Sequence, residues 1–147
     1  GEKREKSKTK GFLPIQQSSL AVYEVNENKI IDLKYGKDNG LFKRIKKDSE
    51  IGNIAEIAFG VLGLYGIKSC GKVLQDEKLG MHIALGRSEH LGGSVSPEKF
   101  INKTNVWHQD FVYTNEMQPE ISVKEAKLIL KNQKEFIIIK NNKYSIF

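Results

Sequence analysis

The chain has 147 residues, 39% of them apolar and 29% charged, and a formal charge of +6. That length allows one domain with a real core, and no apolar run approaches the roughly 20 residues that cross a bilayer. One cysteine, Cys70, excludes an internal disulfide and fits a reducing compartment, so a cytoplasmic protein with no membrane partner is expected.

Residues 1–12 read as a flexible basic lead-in and residues 13–147 as the folded domain. The first ten residues are charged throughout and lack the apolar stretch of a secretory signal. They also hold half of the excess positive charge. A second basic cluster, Lys43, Arg44, Lys46 and Lys47, sits beside Asp48 and Glu50. Neither cluster interleaves aromatic with basic residues, so nucleic acid is not expected as a partner.

Ser19 to Tyr35 alternates apolar with polar residues around Asn26-Glu27-Asn28 and predicts a β-hairpin. Asp38 and Asn39 offer a cap for a helix whose apolar face is Leu41, Phe42 and Ile45. Ile51 to Phe59 is either a short helix or a buried strand. Eight of the thirteen glycines fall between Gly60 and Gly93, which predicts tight turns rather than repeated helix. The apolar run Ile83 to Leu85, closed by Gly86, reads as a strand, as does Val106 to Tyr113. Ile121 to Val123 is expected as another. Ser122-Val123-Lys124-Glu125 resembles a capping box for a helix over residues 124–131, in competition with a strand over residues 126–130. Residues 135–140 and 143–147 flank Asn141-Asn142 as a terminal hairpin. The expected class is α+β, a β-rich single domain with a few helices.

The candidate chemistry lies in a few carboxylates and imidazoles. In His108-Gln109-Asp110, strand geometry points both functional side chains to one face, while Trp107 and Phe111 turn toward core. Such a pair can bind one ion or bridge two, and is equally compatible with a surface position. His82 is either a satisfied core histidine or a ligand. Glu77, five residues earlier, would then serve as general base on activated water or as a bridging carboxylate. Glu56 lies among Ile54, Ala55, Ile57, Ala58 and Phe59, where an ionised carboxylate needs a partner if buried. His90 reads as loop, and Cys70 as a buried structural thiol.

Five short words occur in order: Asn53-Ile54-Ala55-Glu56-Ile57-Ala58-Phe59-Gly60, Gly71-Lys72-Val73-Leu74-Gln75-Asp76-Glu77-Lys78, His82-Ile83-Ala84-Leu85-Gly86, Gly92-Gly93 and His108-Gln109-Asp110. Together they resemble the carboxy-terminal, metal-binding part of the thermophilic-type metalloaminopeptidases, the aminopeptidase T and S and leucyl-aminopeptidase-like family, over roughly residues 20–147. The resemblance implies removal of amino-terminal residues from peptides by a divalent-metal centre of zinc, cobalt or manganese. It matches Glu56, His82, His108 and Asp110 to metal ligands and Glu77 to a catalytic acidic residue. It also implies homodimers and a further amino-terminal domain. Family enzymes carry an upstream glutamate ligand after Leu-Pro, where this chain has Leu13-Pro14-Ile15-Gln16. They also have a tyrosine where this chain has Glu89. The alternatives are a non-catalytic homologue without a complete metal site, and an iron-dependent ring-cleaving dioxygenase, which uses the same His and His-x-Asp words.

Overall fold

Period-two burial builds the first sheet. A computed structural model describes residues 7–146. In it Gly11–Gln16 (β1), Leu20–Asn26 (β2) and Lys29–Gly36 (β3) pair antiparallel in that order. Leu13 opposes Tyr23 and Ile15 opposes Ala21, and all four are buried on one face. The strand β1 is an edge, which is where a strand tolerates Pro14 and its missing N–H. Gly11 and Phe12, expected in the lead-in, belong to this strand. Of the lead-in itself, residues 1–6 lie outside the described residues.

The predicted hairpin is present as β2 and β3. Its two-residue turn, Glu27-Asn28, has both residues at positive φ, the primed geometry that matches strand twist. Leu41–Lys47 forms helix α1, and the Asp38 carboxylate accepts the backbone N–H groups of Phe42 at 2.8 Å and Lys43 at 3.1 Å. The buried Asp48 carboxylate then accepts the N–H of Ile101 at 2.9 Å and the Asn105 carboxamide at 3.1 Å, tying a distant loop to the end of α1.

Ile54–Phe59 (β4) resolves the helix-or-strand ambiguity as a strand, preceded by a 3-10 turn over Ser49–Gly52. After the short helix α2 (Val73–Asp76) come Met81–Gly86 (β5) and His108–Val112 (β6). These make a second antiparallel sheet of order β4-β5-β6. Leu85, Phe111 and Ile54 join the buried cluster of the first sheet, so one core holds the two sheets together. The glycine-rich stretch supplies the expected turns. Within it Cys70 is exposed rather than buried. Buried Asp76 accepts the N–H groups of Cys70 and Gly71, each at 2.9 Å, and the Ser69 hydroxyl at 2.8 Å. The loop therefore wraps its backbone around that carboxylate and leaves the thiol outside.

Glu125–Ile129 (β7), Glu135–Lys140 (β8) and Lys143–Tyr144 (β9) form a third antiparallel sheet. The expected helix over residues 124–131 is absent and the competing strand is found. Asn142 Oδ1 takes the Val123 N–H at 2.6 Å, and Lys127 pairs across the strands with Glu135 at 2.9 Å. Cross-strand partners thus override the local capping signal. Ile121 to Val123, expected as a strand, is irregular. The terminal hairpin turns at Asn141-Asn142, both at positive φ. The architecture is α+β, and among the described residues no helix is long and apolar enough to cross a membrane.

Candidate metal centre

The central strand of the second sheet sorts its side chains by parity. Ile83 and Leu85 face the core, which places His82, Ala84 and Gly86 on the opposite face. Register then brings in the neighbours. Glu56 and Asp110 both oppose Ala84, and His108 opposes Gly86. Directly opposed residues share a face, so Glu56, His82, His108 and Asp110 surround the small, buried Ala84 side chain.

A β-bulge aims Glu56. Ile54 opposes Leu85 while Glu56 opposes Ala84, so one residue, Ala55, is extra in β4. Strict alternation would put Ile54 and Glu56 on the same face. The bulge lets Ile54 enter the core and sends Glu56 to the other side. At the other end, Gly86 has φ +102°, and a Cβ there would lie 2.3 Å from the Trp107 carbonyl oxygen. Asn53 fixes this corner, accepting the Gly86 N–H at 2.8 Å and donating from its carboxamide to the Gly86 carbonyl at 2.9 Å.

The four groups converge. His82 Nε2 lies 3.5 Å from Glu56 Oε1 and 4.0 Å from Asp110 Oδ1. His108 Nε2 lies 3.6 Å from Glu56 Oε2 and 3.7 Å from Asp110 Oδ1. Metal bonds of about 2.0–2.2 Å separate neighbouring tetrahedral ligand atoms by about 3.3–3.6 Å, so the contacts of His82 with Glu56 and Asp110 stand within a few tenths of an ångström of coordination spacing. Asp110 Oδ1 is buried and has no hydrogen-bond partner, an arrangement that leaves an acceptor open toward the group. Both imidazoles are held from behind. Nδ1 of His82 is 3.3 Å from the Gly80 carbonyl, and Nδ1 of His108 is 2.8 Å from the Arg87 carbonyl. A carbonyl only accepts, so each Nδ1 carries the proton and each Nε2 points at the carboxylates, the orientation ligation requires.

Charge follows from the same contacts. Asp110 beside it holds the His108 imidazole above its usual value, against the opposing effect of burial. Burial pushes the Asp110 carboxyl up, but the neighbouring His108 and then His82 outweigh it and leave it below the ordinary carboxylate range. Oxygen and imidazole donors in this proportion suit zinc, manganese, cobalt or iron. The residues present therefore fit a divalent ion.

The structure gathers Glu56, His82 and Asp110, whose donor atoms all lie within 4.8 Å of one another, and sets His108 beside Glu56 and Asp110 but outside that mutual group. Glu77 lies outside that group, on the 3-10 turn before β5, with its carboxylate 2.7 Å from the Lys78 ammonium. His90, read as loop, stands edge-on to His108 with ring centroids 4.9 Å apart. Its Nδ1 is 3.6 Å from Glu89, whose carboxylate is clasped by the Arg87 guanidinium. That clasp holds the Glu89 carboxyl down to about 2. The signal that could have found His90 is the Gly92-Gly93 turn. Gly92 is left-handed, and the Gly93 N–H donates to the Ser88 carbonyl, closing the loop that carries the ring.

The chain matches no protein-family model, no curated protein and no solved structure.

Proposed function

We propose that the chain is a metal-dependent hydrolase of the aminopeptidase T type, or the metal-binding half of one, acting on the amino-terminal bond of peptides. The observation that carries this reading is the convergence of two backbone-anchored imidazoles on two carboxylates, one with a buried open oxygen. The five sequence words add the family resemblance, and with it a fold akin to the metal-binding domain of those enzymes.

Glu56, with Oε1 3.5 Å from His82 Nε2 and Oε2 3.6 Å from His108 Nε2, would help to hold the ion. Asp110 and the two Nε2 atoms would supply the remaining donors. A divalent ion held there supplies the Lewis acidity that activates water and polarises an amide carbonyl. The family resemblance, rather than the position of its carboxylate beside Lys78, makes Glu77 the proposed proton acceptor. Its role is to take the water proton and pass it to the leaving amine. A longer chain or a second copy would supply any ligand beyond these four.

The test is hydrolysis of leucine and alanine anilides by the full chain after addition of zinc, manganese or cobalt. Metal-dependent release is expected. His82→Ala should abolish it, and Glu77→Gln should lower kcat at least about 100-fold without changing metal stoichiometry. A folded, metal-loaded chain that cleaves no anilide or peptide amide contradicts the hydrolase reading.

A further inference from the structure

The strand that carries Glu56 is also an edge. The second sheet runs β4-β5-β6, so β4 has one side paired and one side open. The Gly60 N–H donates to the Gly80 carbonyl at 2.9 Å, which places residue 60 inward, toward β5. Alternation in an antiparallel pair then turns the main-chain N–H and C=O of Phe59 and Ile57 outward. The next outward position, Ile54, is already satisfied. Its N–H donates to the Asn28 carbonyl at 2.8 Å, and its carbonyl accepts the Asn28 carboxamide, also at 2.8 Å. Asn28 thus imitates one rung of a neighbouring strand. Beyond it, among the described residues, no backbone or side-chain group pairs with Ile57 or Phe59 at this edge.

Open edges are usually guarded by lysine, proline or a covering loop, since they recruit other strands. This one carries Ile57 and Phe59 instead, and Ile57 is exposed. Space lies along it. A cavity of about 250 Å³ runs between Ser7, Thr9, Asn28, Ala55, Glu56 and Ile57. A smaller apolar one of about 100 Å³ includes Leu13, Val25, Ile57 and Ile83.

We propose that the outer edge of β4 is a docking rail for the extended main chain of a peptide, adding a fourth strand beside the metal group. This rests on the proposed hydrolase reading for the substrate class. The chemistry of the edge selects the occupant, because outward N–H and C=O groups at strand spacing are complementary to an extended peptide backbone. Location selects it too. Glu56 stands one residue from Ile57 in the same strand, so the rail adjoins the strand that carries one of the candidate ligands. Two rungs are enough to orient a ligand, but small for a stable contact between two copies of the chain.

The experiment uses the full chain without added metal, so that nothing turns over, and an Ala-Val-Ala-Val-Ala amide as probe. Amide resonances of Ile57 and Phe59 are followed, and Kd is measured for a series methylated at one peptide nitrogen at a time. Methylation at alternate nitrogens should weaken binding about tenfold each, and at the intervening ones less than twofold. Ile57→Pro removes one outward N–H at an edge position and should weaken the parent peptide by a similar factor, with retained dispersion of the other amide resonances showing that the strand is kept. Uniform sensitivity to methylation, or no response at Ile57 and Phe59, overturns the rail. So does strong exchange protection of both amides in the free chain at every concentration, which would mean the edge is taken within the chain. Protection that appears only on concentrating it would assign the edge to a second copy. Because binding is read without metal, failure of anilide hydrolysis leaves this test intact, and the reverse also holds.

Discussion

At the scale of single residues, Asp110 carries the sharpest consequence. A buried carboxylate oxygen without a hydrogen-bond partner is unfavourable for a protein that has no use for it. Asp110→Asn should cost the metal-free chain a little stability at neutral pH, because the lowered carboxyl shows that the fold favours its charged form, while zinc affinity falls at least about 100-fold. Thermal denaturation and competitive chelator titration read the two effects separately, and a loss of stability with unchanged zinc affinity would assign Asp110 to the fold. Glu89 gives a pH prediction. Its folded-state carboxyl, held by Arg87, lies at about 2 against an ordinary value of 4.5. A depressed value means that the pair stabilises the chain fully above pH 4.5 and is lost as pH falls toward 2. Glu89→Gln should flatten stability over that window, as urea denaturation at several pH values would show. Glu56, His82, His108 and Asp110 stood out in the sequence as candidates because carboxylates and imidazoles have few other reasons to sit in apolar words. The orientation of Glu56 was not legible there. Period-two reading from Ile54 sends it into the core, and only the extra residue Ala55 turns it out.

At the scale of elements, turns were easier to read than pairings. Asn26-Glu27-Asn28 and Asn141-Asn142 announce hairpins because these residues tolerate positive φ, and both hairpins form. Asp38 likewise announces α1 through its capping carboxylate. The segment over residues 124–131 misleads because its deciding contacts, Asn142 to Val123 and Glu135 to Lys127, come from farther along the chain. The first strand hides behind Pro14, which argues against a strand anywhere except at an edge. The corner at Gly86 is the element most exposed to mutation. Alanine there would combine a left-handed backbone with a contact to the Trp107 carbonyl far inside van der Waals distance. Gly86→Ala should destabilise the chain by about 2 kcal/mol or more. It should also weaken zinc binding, because His108 opposes Gly86 and is anchored to the next residue, Arg87. Calorimetry on the metal-free and zinc-loaded variant checks both, and a neutral substitution would mean that the corner relaxes without moving the imidazole.

At the scale of the whole molecule, the first two sheets share one core, and the face of the second sheet turned away from it carries the four converging groups. Core packing thereby fixes the spacing of the donors. An ion that binds the folded chain and not the unfolded one must raise its melting temperature with concentration, so fold and site are tested together. The most direct measurement is the zinc content of the purified, refolded chain after equilibration and removal of free metal, with Glu56→Gln and Asp110→Asn alongside. At least one equivalent in the parent chain, lost in both variants without loss of fold, is the predicted result. A folded parent chain that retains no zinc, manganese or cobalt above the level of the variants would contradict it.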